Sequence, residues 1–176
     1  MTHTTYVLAG GCFWCLEAVF VRLKGVVSAL PGYTGGSAET AQYSQVATGT
    51  TAHAEAVQVS FDEQVLPREV LLDIFFLIHD PTSLNQQGAD IGPQYRSAMF
   101  YADEAQKQSF EQAVIRAQNN GDKPIVTTVE PLGQFYEAEP EHHDYFSNNP
   151  TNPYCSVVIS PKVTKARQAF SQYIAK

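Results

Sequence analysis

The chain changes its hydrophobic period several times, and the changes mark its elements. Tyr6-Val7-Leu8-Ala9 is a short apolar strand candidate that runs into Gly10-Gly11, and a helix is predicted from Phe13 to Leu23. Val26 to Tyr33 reads as a strand that Pro31 interrupts, so its end is expected to be irregular. Tyr43 to Thr48 reads as a short extended piece. Apolar and polar residues alternate from Glu55 to Phe61, the pattern of a half-buried strand. Pro67, followed by Val70, Leu71, Ile74, Phe75 and Ile78, opens a helix with one apolar face.

From His79 to Tyr95 the chain is rich in Asn, Gln, Gly, Asp and Pro, a loop longer than compact domains carry without a functional reason. Ser97 to Tyr101 then reads as a strand, and Asp103 caps a long helix through Ala117 that Asn119-Asn120-Gly121 ends. Ile125 to Glu130 is a further strand candidate, and Phe135 to Phe146 is acidic, aromatic and partly helical. Ser156 to Ile159 reads as a buried strand before a terminal helix from Lys162. Strands and helices in this mixed order predict an α+β fold: two layers, a mixed sheet with helices mainly on one side. No repeat or linker divides the chain, so residues 1–176 are expected to form a single domain.

Charge and cysteine usage narrow the class. Eighteen acidic against eleven basic residues give a net charge of −7, which argues against nucleic acid or an anionic membrane as partner. No apolar run approaches a membrane span, and no secretory leader pattern precedes the first strand. Three cysteines, an odd number, do not make a secreted disulfide scaffold. They fit a reducing cytoplasm and a redox-active thiol.

Chemistry concentrates at the first helix. Cys12 stands at its expected start, where unpaired N–H groups and the helix dipole lower a thiol pKa and make the sulfur nucleophilic. Gly10 and Gly11 leave room for a substrate to approach the backbone beside it. Cys15 lies three residues on, on the same helix face, at a separation that suits a disulfide. Phe13 and Trp14, two large rings in one turn, read either as core or as the wall of an apolar pocket. Glu55 opens a buried strand, where desolvation raises a carboxyl pKa and keeps it an acid; standing alone it would be a solvated strand end. Asp90 and Tyr95 lie in the long loop, where Asp is by default a turn residue, and Tyr43 is by default half-buried packing. His142 and His143 point in different directions on a helix, so at most one joins a given site. Their spacing from the cysteines is not that of a zinc site, and no metal is expected. Cys155 reads as a small core residue.

Taken in order, these segments resemble the type A peptide methionine sulfoxide reductases. The motifs are Gly10-Gly11-Cys12-Phe13-Trp14, Gly32-Tyr33-Thr34-Gly35-Gly36, Gly49-Thr50-Thr51-Ala52-His53-Ala54-Glu55, His79-Asp80-Pro81-Thr82, Asp90-Ile91-Gly92-Pro93-Gln94-Tyr95-Arg96-Ser97 and Tyr136-Glu137-Ala138-Glu139-Pro140-Glu141-His142. The resemblance implies a ferredoxin-like core, Cys12 as nucleophile, a hydrophobic cage from Phe13 and Trp14, and Tyr43, Glu55, Asp90 and Tyr95 binding and protonating the sulfoxide. It implies the S epimer of methionine sulfoxide, free or in proteins, as substrate, thioredoxin as reductant, a monomer, and no metal or organic cofactor. Where many relatives have glycine this chain has Cys15, so the thiol that resolves a Cys12 sulfenic acid is open between Cys15, the nearer one, and Cys155. The closest rival is a thioredoxin-like dithiol exchanger, whose Cys-x-x-Cys also follows a strand. The two bulky rings between the cysteines speak against it.

Overall fold

The computed structural model describes residues 3–175; Met1, Thr2 and Lys176, the ends of the expected 1–176 domain, lie outside the described residues. A six-stranded mixed sheet runs through the molecule in the order β7-β6-β1-β3-β2-β8. Its strands are β1 (His3–Ala9), β2 (Val26–Thr34), β3 (Ala54–Asp62), β6 (Ala98–Tyr101), β7 (Thr128–Pro131) and β8 (Phe135–Glu137). All neighbours are antiparallel except β6 and β7. The four central strands, β6-β1-β3-β2, have the order of a ferredoxin-like core, with α1 (Phe13–Phe20) between β1 and β2 and α3 (Arg68–Leu77) between β3 and β6, while α4 (Glu104–Asn119) joins β6 to β7.

Strand alternation decides which side is covered. Tyr6 and Leu8 of β1, Val57, Val59 and Phe61 of β3 and Met99 of β6 point to one face, where they pack with Phe13, Leu16, Leu71, Phe75, Phe110 and Val163 of the helices. Val7, Ala9, Ala54, Ala56, Ala98 and Phe100 form a smaller cluster on the opposite face, against Leu132 and Phe135. Glu55 belongs to the odd-numbered row of β3, in line with Val57, Val59 and Phe61. A carboxyl group is thereby placed on the helix-covered face of a central strand.

Four segments depart from the sequence expectation, each for a physical reason. Pro31 does not interrupt β2: its carbonyl accepts the Ala138 N–H at 2.9 Å on the β8 side, where the ladder ends, so its missing N–H costs the β3 pairing nothing. Residues 43–48 are not extended. Both edges of β3 are taken by β1 and β2, and the segment winds into a short helix, α2 (Tyr43–Val46), closed by the Gln42 carbonyl. The loop of residues 79–95 contains a small hairpin of β4 (Gln86–Gln87) and β5 (Asp90–Ile91). Ser156–Ile159 is not a strand but part of a π-helical turn (Cys155–Ile159) that continues into α6 (Ser160–Ala169). Cys155, Ile159, Val163 and Ala166 are its buried positions, and spacings of four, four and three are helical. A run of three apolar residues does not distinguish the two periods.

Candidate active site

Cys12 closes the turn between β1 and α1. It is 7% exposed, its backbone is extended, and its carbonyl accepts the Cys15 N–H at 3.0 Å. The two preceding glycines are required by packing and dihedral angle, not by an incoming substrate. A β-carbon on Gly10 would stand 2.9 Å from the His79 ring, and Gly11, at φ 88°, would meet the Gln87 side chain at 2.6 Å. The space that the sequence assigns to substrate is filled from the loop of residues 79–95. His79 is neutral: its Nδ1 donates to the Phe75 carbonyl, its Nε2 accepts from Ser97 Oγ at 2.8 Å, and burial lowers it to about 4.

The lowered thiol is not the expected one. Burial pushes Cys12 well above the ordinary cysteine range, the hydrogen bond it shares with Cys15 and the nearby Glu55 add to this, and the Trp14 N–H opposes it. Cys15, hydrogen-bonded to Cys12, is lowered to about 7 against its own burial, with Lys162 assisting. The helix start expected to activate Cys12 is outweighed by desolvation, and the lower of the two paired thiols is the second. Cys155 is also buried, which raises it, and the Cys15 charge adds to the rise; all three cysteines are free thiols.

Glu55 is 1% exposed, and its Oε1 accepts the backbone N–H of Phe13, the residue after Cys12, at 3.1 Å. Burial pushes its carboxyl up to about 8; that hydrogen bond works in the opposite direction, and Asp90 and Cys15 add to the rise. Tyr43 and Tyr95, both half-buried, lie in the field of Glu55, Asp90 and Cys12. Burial and that field push Tyr43 up to about 12 and Tyr95 further, so both hydroxyls remain donors. The residues singled out in the sequence, Cys12, Phe13, Trp14, Cys15, Tyr43, Glu55, Asp90 and Tyr95, therefore gather around one centre. Cys155 lies within electrostatic reach of Cys15.

Several members of this cluster carry no substrate-binding role in the sequence reading. Trp14 donates its indole N–H to His142 Nδ1 at 3.1 Å, which fixes the neutral tautomer of His142 with its proton on Nε2. The His142 ring also lies 4.4 Å from Tyr43 and 5.4 Å from Phe13. His143 turns away to the Ala138 carbonyl and Glu137, so one histidine of the pair joins the site. Tyr145 lies flat on Trp14, centroids 3.6 Å apart and planes 3° from parallel. Tyr154 donates to Asp90 Oδ2 at 2.6 Å, stands 3.8 Å from Cys15 Sγ, and packs its ring edge-on to Trp14. Glu139 accepts from the Tyr33 hydroxyl and the Tyr43 N–H, anchoring α2. The available signal was that a lone indole N–H needs an acceptor, and the segment of residues 136–154 is the aromatic and histidine-rich part of the chain. Among the described residues, no group of three or more His, Cys, Asp and Glu side chains is placed to hold a metal ion, and no helix is long and apolar enough to cross a membrane.

A sheet with a thiol at the start of its first helix and a neutral acid on the adjoining strand defines a thiol-dependent catalyst. Comparison with known proteins specifies it. The family model described as peptide methionine sulfoxide reductase matches residues 4–174. The chain is 54% identical over 170 residues to the peptide methionine sulfoxide reductase MsrA of Clavibacter michiganensis, covering 97% of both chains. Among solved structures it is similar to Mxr1 of Saccharomyces cerevisiae in its reduced form, with a TM-score of 0.82 and 34% identity over 87% of this chain and 89% of that one. The same yeast protein in complex with Trx2 matches with a TM-score of 0.58 and 26% identity, over 81% of this chain and 84% of that one. The chain belongs to the peptide methionine sulfoxide reductases.

Proposed function

We propose that this chain, acting as a single catalytic domain, reduces methionine S-sulfoxide, free or within peptides, with Cys12 as nucleophile, Glu55 as acid and Cys15 as resolving thiol. The observation that carries the reading is the bond from Phe13 N–H to Glu55 Oε1, which ties the buried acid to the residue next to Cys12. A sulfoxide presents a small methyl group, an electrophilic sulfur and a strongly accepting oxygen. Phe13 and Trp14 bury the methyl group, with His142 and Tyr145 holding Trp14 in place. Neutral Glu55 and the hydroxyls of Tyr43 and Tyr95 donate to the oxygen, and Asp90 takes part in binding the substrate.

Attack by the Cys12 sulfur on the sulfoxide sulfur forms a sulfur–sulfur bond as Glu55 delivers its proton to the oxygen. Cys15, which accepts the Cys12 hydrogen bond, is placed to take the proton that Cys12 loses. The hydroxyl then passes from the substrate sulfur to Cys12 as the bond between the two sulfurs breaks, so that methionine leaves and Cys12 is a sulfenic acid. The Cys15 sulfur then attacks Cys12, releasing water and forming a disulfide. The sum is two thiols and a sulfoxide giving a disulfide, methionine and water. The thiol pairing already present in the reduced protein supports Cys15 over Cys155. An external dithiol protein of the thioredoxin class restores the thiols; the Trx2 complex of the yeast relative supports this class of partner. Among the described residues no helix is long and apolar enough to span a membrane, and the reading takes the chain to act as a cytoplasmic monomer.

The test is a single turnover without reductant. Reduced protein mixed with one equivalent of sulfoxide is expected to yield one methionine and lose two thiols, and trypsin peptides are expected to carry a Cys12–Cys15 bond. A protein that binds the sulfoxide and keeps all its thiols is a binding module and refutes the reading.

A further inference from the structure

Glu17 is a buried carboxylic acid, 3% exposed, that the reaction above does not use. It lies on α1 three residues beyond Trp14. Its Oε2 accepts the backbone N–H of Asp144 at 2.9 Å, and the carboxylate also accepts the N–H of Tyr145. These two donors open the short helix α5 (Tyr145–Asn148), whose own side chains provide no cap. Asp144 sits at φ 52°, a left-handed conformation uncommon for a residue with a β-carbon, and it turns the chain so that Tyr145 meets Trp14. The charged and titratable groups around Glu17 are Arg22, just past the end of α1, and His143 and Asp144 on the facing segment. Arg22 is engaged elsewhere: it donates to the Ala18 carbonyl and Ser147 Oγ and lies 5.0 Å above the Phe146 ring.

We propose that Glu17 is a positioning residue for substrate binding: as a carboxylate it holds the start of α5 so that Tyr145 covers Trp14, and on taking up a proton it lets this aromatic wall loosen. A carboxylate offers two charged oxygens to two N–H groups, whereas the acid form keeps one good acceptor and brings a hydroxyl donor against them. Burial raises Glu17 to about 7, with the two N–H bonds and His143 opposing and the Asp144 charge adding, so the exchange falls near neutral pH. The inference rests on the reductase reading only in taking the wall to bind the substrate methyl group.

Trp14 is the sole tryptophan, so its emission reads the stack directly and needs no substrate. Fluorescence is followed from acid to alkaline pH in a Cys12→Ser/Cys15→Ser background, which removes quenching by thiolates. Three steps are expected: one below the ordinary histidine range from His142, which accepts the Trp14 N–H, one near pH 7 that disappears in Glu17→Gln, and one near pH 8 from Glu55 that persists. With native cysteines, Glu17→Gln is expected to raise KM for a methyl sulfoxide roughly fivefold at pH 8, the loss of about one net hydrogen bond. It should match wild type at pH 6 and leave the saturated single-turnover rate within about twofold. A step near pH 7 that survives Glu17→Gln overturns the proposal, as does the absence of that step. Should Glu17→Gln not fold, Tyr145→Ala replaces it: the step must vanish without the stacking ring, and its survival overturns the proposal. If the emission behaves as expected and KM does not move, Glu17 holds the stack without positioning substrate, which overturns the proposal and leaves the roles of Cys12 and Glu55 untouched.

Discussion

Replacing Glu55 by glutamine is expected to make the protein more stable and less active, and the gain is expected to depend on pH. The folded carboxyl holds its proton up to about pH 8, whereas an unfolded glutamate releases it near 4.5. Between those values the native state binds more protons than the unfolded state, so the contribution of this residue to stability falls as pH rises. Each unit of separation corresponds to about 1.4 kcal/mol. Glutamine is neutral in both states, and its oxygen can still accept the Phe13 N–H. The stability of Glu55→Gln over wild type is therefore expected to be small at pH 5 and to grow by about 3–4 kcal/mol by pH 8, before any change in packing. Urea unfolding of both proteins at pH 5, 6, 7 and 8 under a thiol reductant measures the difference directly. In parallel the single-turnover rate should fall roughly 10²- to 10⁴-fold, since the amide donates a hydrogen bond and cannot release a proton. A stability difference that is flat with pH would mean that Glu55 is ionised in the folded protein and that the acid assignment is wrong.

Cys12→Ser is expected to abolish even the first turnover, and any methionine formed by that variant, measured by amino-acid analysis, refutes the nucleophile assignment. Cys15→Ser should release one methionine per protein and then stall in a thioredoxin-coupled assay while Cys155→Ser continues; the opposite pattern transfers resolution to Cys155. The reductase step of the native protein should decline as pH rises through about 8, where Glu55 loses its proton, and a rate still climbing at pH 9 contradicts it. Tyr154→Phe removes the donor to Asp90 Oδ2 and is expected to weaken sulfoxide binding by roughly fivefold, read as KM.

Residues whose environment is local were legible in the sequence. Glu55 belongs to an alternating strand, and alternation alone puts it in one row with Val57, Val59 and Phe61. The helix after Gly10-Gly11 was legible from its apolar spacing. The position of Cys12 there suggested the wrong ionisation, because the depth of burial that governs its proton is set by segments distant in the chain. The glycines were read as space for a substrate, while His79 and Gln87, almost seventy or more residues on, occupy it. Tyr43 lost its expected strand because both sides of β3 are taken by β1 and β2, and Ser156–Ile159 lost its own because three apolar residues carry no period. The partners of Trp14, His142 and Tyr145, lie more than a hundred residues away, in a segment whose motifs name neither ring as a wall.

The acid stands in a strand bonded on both sides, paired with Tyr33 across β2, whereas Tyr43, Asp90 and Tyr95 come from a short helix and a long loop. A one-residue slip of β3 would carry the carboxyl to the opposite side of the sheet, so its position admits no gradual adjustment. The loop-borne groups can be lengthened, shortened or exchanged one at a time without disturbing the sheet. A lineage of such enzymes, or a designer, can thus retune which sulfoxides are accepted while the proton donor stays where the strand puts it.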